Sequence, residues 1–406
     1  MRILHTSDWH LGQHFMGKTR QAEHEAFMAW LIDQIGQHQV DAVIVAGDIF
    51  DTGTPPSYAR ELYNSFISQL HDTGATLVVL GGNHDSVATL GESRTVLKKL
   101  GAHVVPGVMD VIDDQILVLP ERDGRPSAVL CAIPFIRSRD VMVSQAGQTA
   151  EDKQRTLQDA IHQHYQDLYA RALAKRDELG MALPVIATGH LTTVGASASE
   201  SVREIYVGSL EAFPTSAFPP ADYIALGHIH RPQKVGGFEH IRYSGSPIPL
   251  SFDEARQSKE VLLVTLDEQG LKDITPLTIP RFQGMATVSG TLVELQMSLP
   301  AAATLGQADQ PVWVEVVVNS DDYLSDLQPR LQAMISDLPI EILRVRRERS
   351  TANAVLQRTA QETLDELTPD DVFSLRLASE TIEEGLRLAL QSRYRQVVSE
   401  LQEAKA

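Results

Sequence analysis

A single cysteine in 406 residues, Cys131, excludes an intrachain disulfide and any cysteine-built zinc cage. It lies in the apolar run AVLCAIPF, which reads as core. Such sparing use of cysteine suits a reducing, cytoplasmic setting. No apolar run approaches the ~18 residues that a membrane-spanning helix needs. The first residues, MRILHTSDWH, reach charged groups before a signal-peptide core could form. Basic residues are scarce: 35 Lys and Arg against 53 Asp and Glu leave a net charge of −18. That excludes a chain that grips nucleic acid by bulk charge, since phosphate neutralisation needs Lys and Arg. Nucleic-acid chemistry at a metal site, or beside a partner that supplies positive charge, stays open. Any use of ATP is expected to fall to another chain, although Gly12–Thr19 (GQHFMGKT) fits the spacing GxxxxGK[ST].

What is present is 43% apolar and 22% charged, the balance of a globular protein of about two to three domains. MRILHTSD reads as a strand. Phe27, Leu31 and Ile35 recur at helical spacing in the next stretch. DAVIVAGD is a buried-type strand, SYARELYNSFISQLHDTG a helix ending near Gly74, and ATLVVLGGNHDS a strand with its loop. Strand–helix–strand alternation predicts an α/β fold. Further strands follow in HVVPG, ILVLPE, SAVLCAIPF, LPVIATGH, ADYIALGHIH, HIRYSGSP and EVLLVTLDEQ, with a polar helical region over 148–180. Past Leu271 the pattern changes. PVWVEVVVN and EILRVRRE flank the helix LSDLQPRLQAMI, a small α+β unit. The predicted organisation is a main domain over 1–275, the small unit over 281–349, a linker over 350–367 and terminal helices over 368–406. In the last segment Ile382, Leu386, Leu390, Tyr394, Val397 and Leu401 make a stripe for a partner helix or for the chain's own core.

Five short motifs share one placement, each on the loop after an apolar strand. They are Asp8-Trp9-His10, Gly47-Asp48-Ile49-Phe50-Asp51, Gly82-Asn83-His84-Asp85, Thr188-Gly189-His190 and Gly227-His228-Ile229-His230. The carboxyl ends of strands in open α/β sheets are where ligands gather. Carboxylates, an amide oxygen and imidazoles without thiolate suit Mn²⁺, Fe²⁺ or Zn²⁺. Asp8 and His10 alternate around Trp9, so an extended segment turns both to one side, and His228 and His230 do the same around Ile229. Asp48 has two oxygens with which to bridge two metals. Each motif alone reads as an ordinary turn; the set in this order points to a metal site. His162 and His164, two apart in a polar helix, read as solvated. His5, His14, His24, His38, His71, His103 and His240 carry no motif and read as structural.

The D-x-H, GDxxD, GNHD, GH and GHxH series resembles the calcineurin-like binuclear metallophosphoesterase superfamily. TSDWHLG, AGDIFDTGTPP, LGGNHDS and ALGHIHRPQ resemble its DNA-repair exonuclease branch, and the likeness runs along nearly the whole chain. It implies a two-sheet sandwich flanked by helices, with a small α+β cap and C-terminal partner-binding helices. It implies Asp8, His10, Asp48 and His230 as ligands of one metal, and Asp48, Asn83, His190 and His228 as ligands of the second. His84 would act on the scissile phosphate and Asp85 would orient His84. Where many relatives carry a histidine, this chain has Asp51. The expected cofactors are two divalent ions, Mn²⁺ foremost. The expected substrate is DNA, and the expected partner an ATPase subunit whose coiled coil receives the terminal helices. A homodimer through helices near Tyr58–Leu70 and Glu92–Leu100, within a heterotetramer, is also implied. Lys18, Arg20, Arg137, Arg139 and Arg231 could reach DNA phosphates. The run Arg344, Arg346, Arg347, Arg349 could dock a backbone or pair with an acidic surface. Two other readings stand beside this one: another binuclear phosphoesterase, such as a protein phosphatase or nucleotide phosphodiesterase, and a binding scaffold on a metal-free fold.

Overall fold

Apolar residues occupy both alternating sets in the central strands, and the computed structural model shows why. It describes residues 1–142, 150–202, 212–319 and 326–348, together with Leu390 and Arg393. The proposed linker and terminal helices lie otherwise outside the described residues. Residues 1–318 and 324–347 make one compact unit.

The first six-stranded sheet runs Gly270–Thr278, Glu260–Asp267, Arg2–Thr6, Ala42–Val45, Thr76–Leu80, Ala102–Val105. Its last four strands are parallel, while the hairpin at the other edge pairs antiparallel, with Ile3 opposite Val264. The second sheet runs Gln233–Val235, Phe238–Tyr243, Tyr223–Gly227, Val185–His190, Pro126–Cys131, Ile116–Pro120. Its four middle strands are parallel.

Successive side chains of a strand point to opposite faces. Ile3, Ala42, Ile44, Val78 and Leu80 therefore meet Ala128, Leu130, Ile186 and Ala225 between the two sheets. Leu4, Val43, Val45, Leu77 and Val79 face outward onto helices Gln21–Gln37 and Ser57–Asp72, against Phe27, Leu31, Phe66 and Leu70. The outer face of the second sheet is covered by helix Ala150–Leu179 through Leu157, Ile161, Tyr165 and Leu168. The result is a helix–sheet–sheet–helix sandwich. Burying both faces of parallel strands is what makes them read as continuous apolar runs. Cys131 is buried in the second sheet, and burial pushes its thiol up to about 12.

Two buried histidines are structural. His5 lies inside the sandwich, where its Nδ1 meets the Tyr223 hydroxyl at 2.8 Å and its Nε2 the Leu226 carbonyl at 3.1 Å. It thus bolts one sheet to the other. His24 bonds the Trp9 carbonyl at 2.9 Å. His162 and His164, by contrast, are not solvated: both are half-buried, the Nε2 of His164 is buried, and His162 bonds the Ala217 carbonyl at 2.8 Å. A long helix packed on a sheet has flanks as well as a wet face, and His162 falls on a flank.

The small α+β unit holds more than two strands and a helix. Met285–Gly290, Val312–Asn319 and Ile340–Glu348 form a three-stranded sheet, with helices Leu292–Ala303 and Leu327–Ile335 beside it. Thr291 and Glu294 close a capping box at the start of the first of these helices. Trp313 joins Phe15 and Phe252, which stand on connections of the main domain, in an aromatic cluster.

Candidate metal centre

The parallel strands of both sheets end at one edge. Four of the motifs lie on loops that leave there, whereas Thr188-Gly189-His190 forms the end of strand Val185–His190 itself and not the loop after it. Two of the loops are laced together by backbone bonds: Asp8 N–H to Gly47 O at 3.0 Å, His10 N–H to Asp48 O at 3.0 Å and Leu11 N–H to Ile49 O at 2.9 Å. Donor atoms of Asp8, His10 and His230 lie within 4.8 Å of one another, as do those of Asp48, His190 and His228. His10, Asp48 and His84 make a third group. Asn83 Oδ1 lies 2.9 Å from His190 Nε2 and 3.2 Å from His228 Nδ1. All seven expected ligands therefore converge.

The backbone at these residues is not extended. Asp8, His10, Asp48 and His228 have φ of 55°, 48°, 52° and 97°, in the left-handed region that side chains disfavour. Asp8 and His10 still share the site, but through two strained turns, with Trp9 driven into the core between Phe27 and Phe66. Strain of this kind persists only where surrounding structure over-determines it, and it clusters at functional sites. Gly47 and Gly82 make room. A Cβ on Gly47 would lie 2.2 Å from His190 Nδ1, and one on Gly82 would lie 2.1 Å from Asp48 Oδ1.

Lone pairs converge here on a space that needs a proton or a cation. His190 Nδ1 donates to the Ala46 carbonyl at 2.9 Å. In the neutral ring, Nε2 therefore turns a lone pair toward Asn83 Oδ1 and toward Asp48 Oδ2 at 3.2 Å. Something positive must sit among these atoms. Burial disfavours a proton on His190, yet the Asp48 carboxylate outweighs burial and raises the imidazole to about 9. Burial and the His190 charge hold His228 well below the ordinary imidazole range. His10 Nε2 and His228 Nε2 are buried with no hydrogen-bond partner among the described residues. Orphaned nitrogens of this kind fit a cation. Asp48 faces both groups with one oxygen rather than two. Oδ2 lies 3.6 Å from His10 Nε2 and 3.2 Å from His190 Nε2, while Oδ1 accepts the His84 N–H at 2.9 Å.

Asp85 does not orient His84. Its carboxylate accepts N–H bonds from Ile49 at 3.1 Å, Phe50 at 3.0 Å and Gly82 at 2.8 Å. Its oxygens are spent fastening the Asp48 loop to the Asn83 loop. His84 Nδ1 donates instead to the Asp51 carbonyl at 2.8 Å. Asp51 also holds His10, with Oδ1 3.1 Å from His10 Nδ1. Asn83 and His84 are half-buried at the mouth, while Asp8, His10, Asp48, His190, His228 and His230 are buried.

Four of the basic residues are paired within the chain. Arg20 is fully buried, paired with Glu23 and bonded to the Pro249 carbonyl. Arg344 and Arg346 pair with Glu315, a single buried acid of this chain rather than an acidic surface; Arg349 lies outside the described residues. Lys18 pairs with Glu341 at 2.5 Å.

Behind His230 sits a buried acid that no motif announces. Glu254 meets Ser199, Ser201, Lys259 and the Leu250 N–H. Burial alone would raise its carboxyl, but His230 and Lys259 hold it well below the carboxylate range. Ser199, Ser201 and His230 reach it from other segments of the chain, so no local motif ties it to the site.

The strand-end loops, the paired donor groups and the two-sheet sandwich define a calcineurin-like phosphoesterase. Residues 1–232 match that family, and the chain belongs to it as a metal-dependent phosphodiesterase. Within the family it belongs with the SbcD subunits of the SbcCD nuclease. It is 52% identical to the SbcD subunit of Escherichia coli (strain K12), over 96% of both chains. It is 35% identical to that subunit of Rhodobacter capsulatus, over 84% of this chain and 86% of the relative. The subunit of Bacillus subtilis (strain 168) is 29% identical, over 80% and 81%. Residues 281–381 match a family described as "Type 5 capsule protein repressor C-terminal domain". The phosphoesterase fold implies a binuclear divalent metal site, and the clustered His and Asp residues agree with it. No helix among the described residues is long and apolar enough to cross a membrane.

Proposed function

We propose that the chain is a Mn²⁺-dependent DNA nuclease, a duplex-end exonuclease and single-strand or hairpin endonuclease, working by two-metal phosphodiester hydrolysis. The convergence of seven donors on one sandwich edge carries this reading. Asp8, His10, Asp48 and His230 hold one ion, and Asp48, Asn83, His190 and His228 the other. Two such ions supply Lewis acidity, acidifying a water and neutralising charge that builds on the phosphate. Asp48, shared between both groups, keeps the two halves in register. His84 stands at the mouth with Nδ1 committed to Asp51, so Nε2 serves the phosphate or the leaving oxygen. Asp85 keeps the Asp48 and Asn83 loops together, and so keeps His84 over the ions.

The partner is an SbcC-type ATPase, which supplies the ATP site: Gly12–Thr19 of this chain, though spelled GxxxxGK[ST], folds as the hairpin His14–Phe15 and Lys18–Thr19, and its Lys18 pairs with Glu341. Its coiled coil receives the helices of 368–406 beyond a linker over 350–367, and two copies of this chain pair within a heterotetramer in the cytoplasm. Kinship to subunits named for the SbcCD complex supports this arrangement. The deciding experiment is cleavage of a labelled hairpin duplex with and without Mn²⁺, and with and without the ATPase partner. Mn²⁺-dependent cuts that the partner and ATP alter are expected. Rapid turnover of small phosphomonoesters with DNA left intact would overturn the reading.

A further inference from the structure

We propose that Glu254, acting through the hydroxyl of Ser201, is a positioning residue for His230 and sets how tightly the Asp8, His10 and His230 group holds its ion. The inference rests on the metal reading above and concerns residues that touch no substrate.

Proton counting carries it. His230 Nδ1 lies 2.5 Å from Ser201 Oγ. Ser201 Oγ in turn donates to Glu254 Oε1, which also takes the Ser199 hydroxyl at 2.7 Å. An ionised carboxylate only accepts, so the one Ser201 proton goes to Glu254. Ser201 then has only a lone pair to offer His230, and Nδ1 must carry the hydrogen. That fixes the tautomer and leaves the Nε2 lone pair for a cation. Carboxylates placed behind metal-bound imidazoles act in this way, orienting the ring and raising its basicity. Here a serine stands between acid and ring, and Glu254 Oε1 is 3.5 Å from Nδ1.

The acid is itself pinned. Lys259 Nζ donates to Glu254 Oε2 at 2.6 Å, to Ser246 Oγ at 3.0 Å and to the His230 carbonyl at 2.9 Å. Leu250 N–H adds a bond to Oε2 at 3.1 Å. One ammonium thus holds both the acid behind the ligand and the ligand's own backbone. Both charges are buried, and their value lies in geometry rather than stability, because desolvation offsets most of the attraction of such a pair. The Ser201 segment is held from outside as well: Glu200 N–H bonds Asp253 Oδ2 at 3.1 Å, and the Glu200 carboxylate lies 3.6 Å from Arg344.

The test is calorimetric titration of Mn²⁺ alone into the full chain without DNA. Ser201→Ala removes the relay and leaves the Glu254–Lys259 pair whole. It should weaken one of the two Mn²⁺ binding events by roughly ten- to hundredfold and leave the other in place. Ser201→Thr, which keeps the hydroxyl, should restore it. Glu254→Gln should match Ser201→Ala. Because it strands Lys259, it is paired with Glu254→Gln/Lys259→Met, which should regain melting temperature without regaining Mn²⁺ affinity. Native affinities in Ser201→Ala, equal weakening of both events, or recovery of affinity together with stability in the double variant would each overturn the inference. Wild-type protein that binds no Mn²⁺ would overturn the metal reading, and this inference with it.

Discussion

The backbone N–H of His228 donates to Oδ1 of Asp8 at 2.9 Å, across 220 residues of sequence. The bond joins a loop of the second sheet to a loop of the first. Both residues hold left-handed backbone, at φ 97° and 55°. Each half of the site therefore stabilises a conformation that the other half could not keep alone.

Asp8→Asn separates fold from chemistry. The amide oxygen can still accept from His228, so the melting temperature should stay within a few degrees of wild type. The lost charge should cut Mn²⁺ affinity of one site by more than about 100-fold, with a matching fall in DNA cleavage. Near-native cleavage by this variant would remove Asp8 from the ligand set.

His84→Ala should spare the metals and slow the chemistry. Two Mn²⁺ per chain are expected, with cleavage reduced by about 10²–10⁴-fold, the range of a lost general acid or electrostatic contact. A variant that arrives without its metals would show that His84 belongs to the ligand shell.

Gly47→Ala and Gly74→Ala form a pair. Both glycines have positive φ, at 94° and 76°. An added methyl at Gly74 meets nothing within 4 Å, whereas at Gly47 it would lie 2.2 Å from His190 Nδ1. Gly74→Ala should cost about 1 kcal/mol by denaturant unfolding and leave Mn²⁺ binding alone. Gly47→Ala should cost more and also weaken Mn²⁺ binding. Equal effects on binding would contradict the close approach of Gly47 to His190.

Chelation followed by Mn²⁺ addition should abolish and then restore cleavage. Bound metal also stabilises whatever state binds it. At free Mn²⁺ of 100 times Kd, one site adds about 2.7 kcal/mol to the unfolding free energy. A melting temperature indifferent to Mn²⁺ would argue against occupancy of the folded site.

Acid should destabilise the chain through two buried histidines outside the donor set. Burial lowers both His5 and His24 from 6.5 to about 3. Above pH 6.5 both are neutral, folded or unfolded, and their contribution is complete. Between pH 6.5 and 3 the unfolded chain binds protons that the folded chain refuses. Stability then falls by about 1.4 kcal/mol per pH unit for each. His24→Gln retains a donor for the Trp9 carbonyl and should flatten the pH dependence by that amount. Unchanged slopes in denaturant unfolding from pH 7 to 5 would refute this.

Sequence alone determined the strands, the helices and the short strings that carry the candidate donors. Apolar strands, the spacing of Phe27, Leu31 and Ile35, and glycine-marked loops after strands are local patterns, set by neighbours in the chain. The five motifs could be read because each is a short contiguous string at or just past a strand end. What those donors lean on was decided only by tertiary structure. Asp85 binds backbone N–H groups instead of His84, Arg20 is buried, and the Asp51 carbonyl takes the His84 ring. The Glu254–Ser201–His230 chain likewise joins three separate segments. Backbone groups have no letter in a sequence, and partners such as Asp8 and His228 meet only when two sheets stack with their parallel strands ending at one edge.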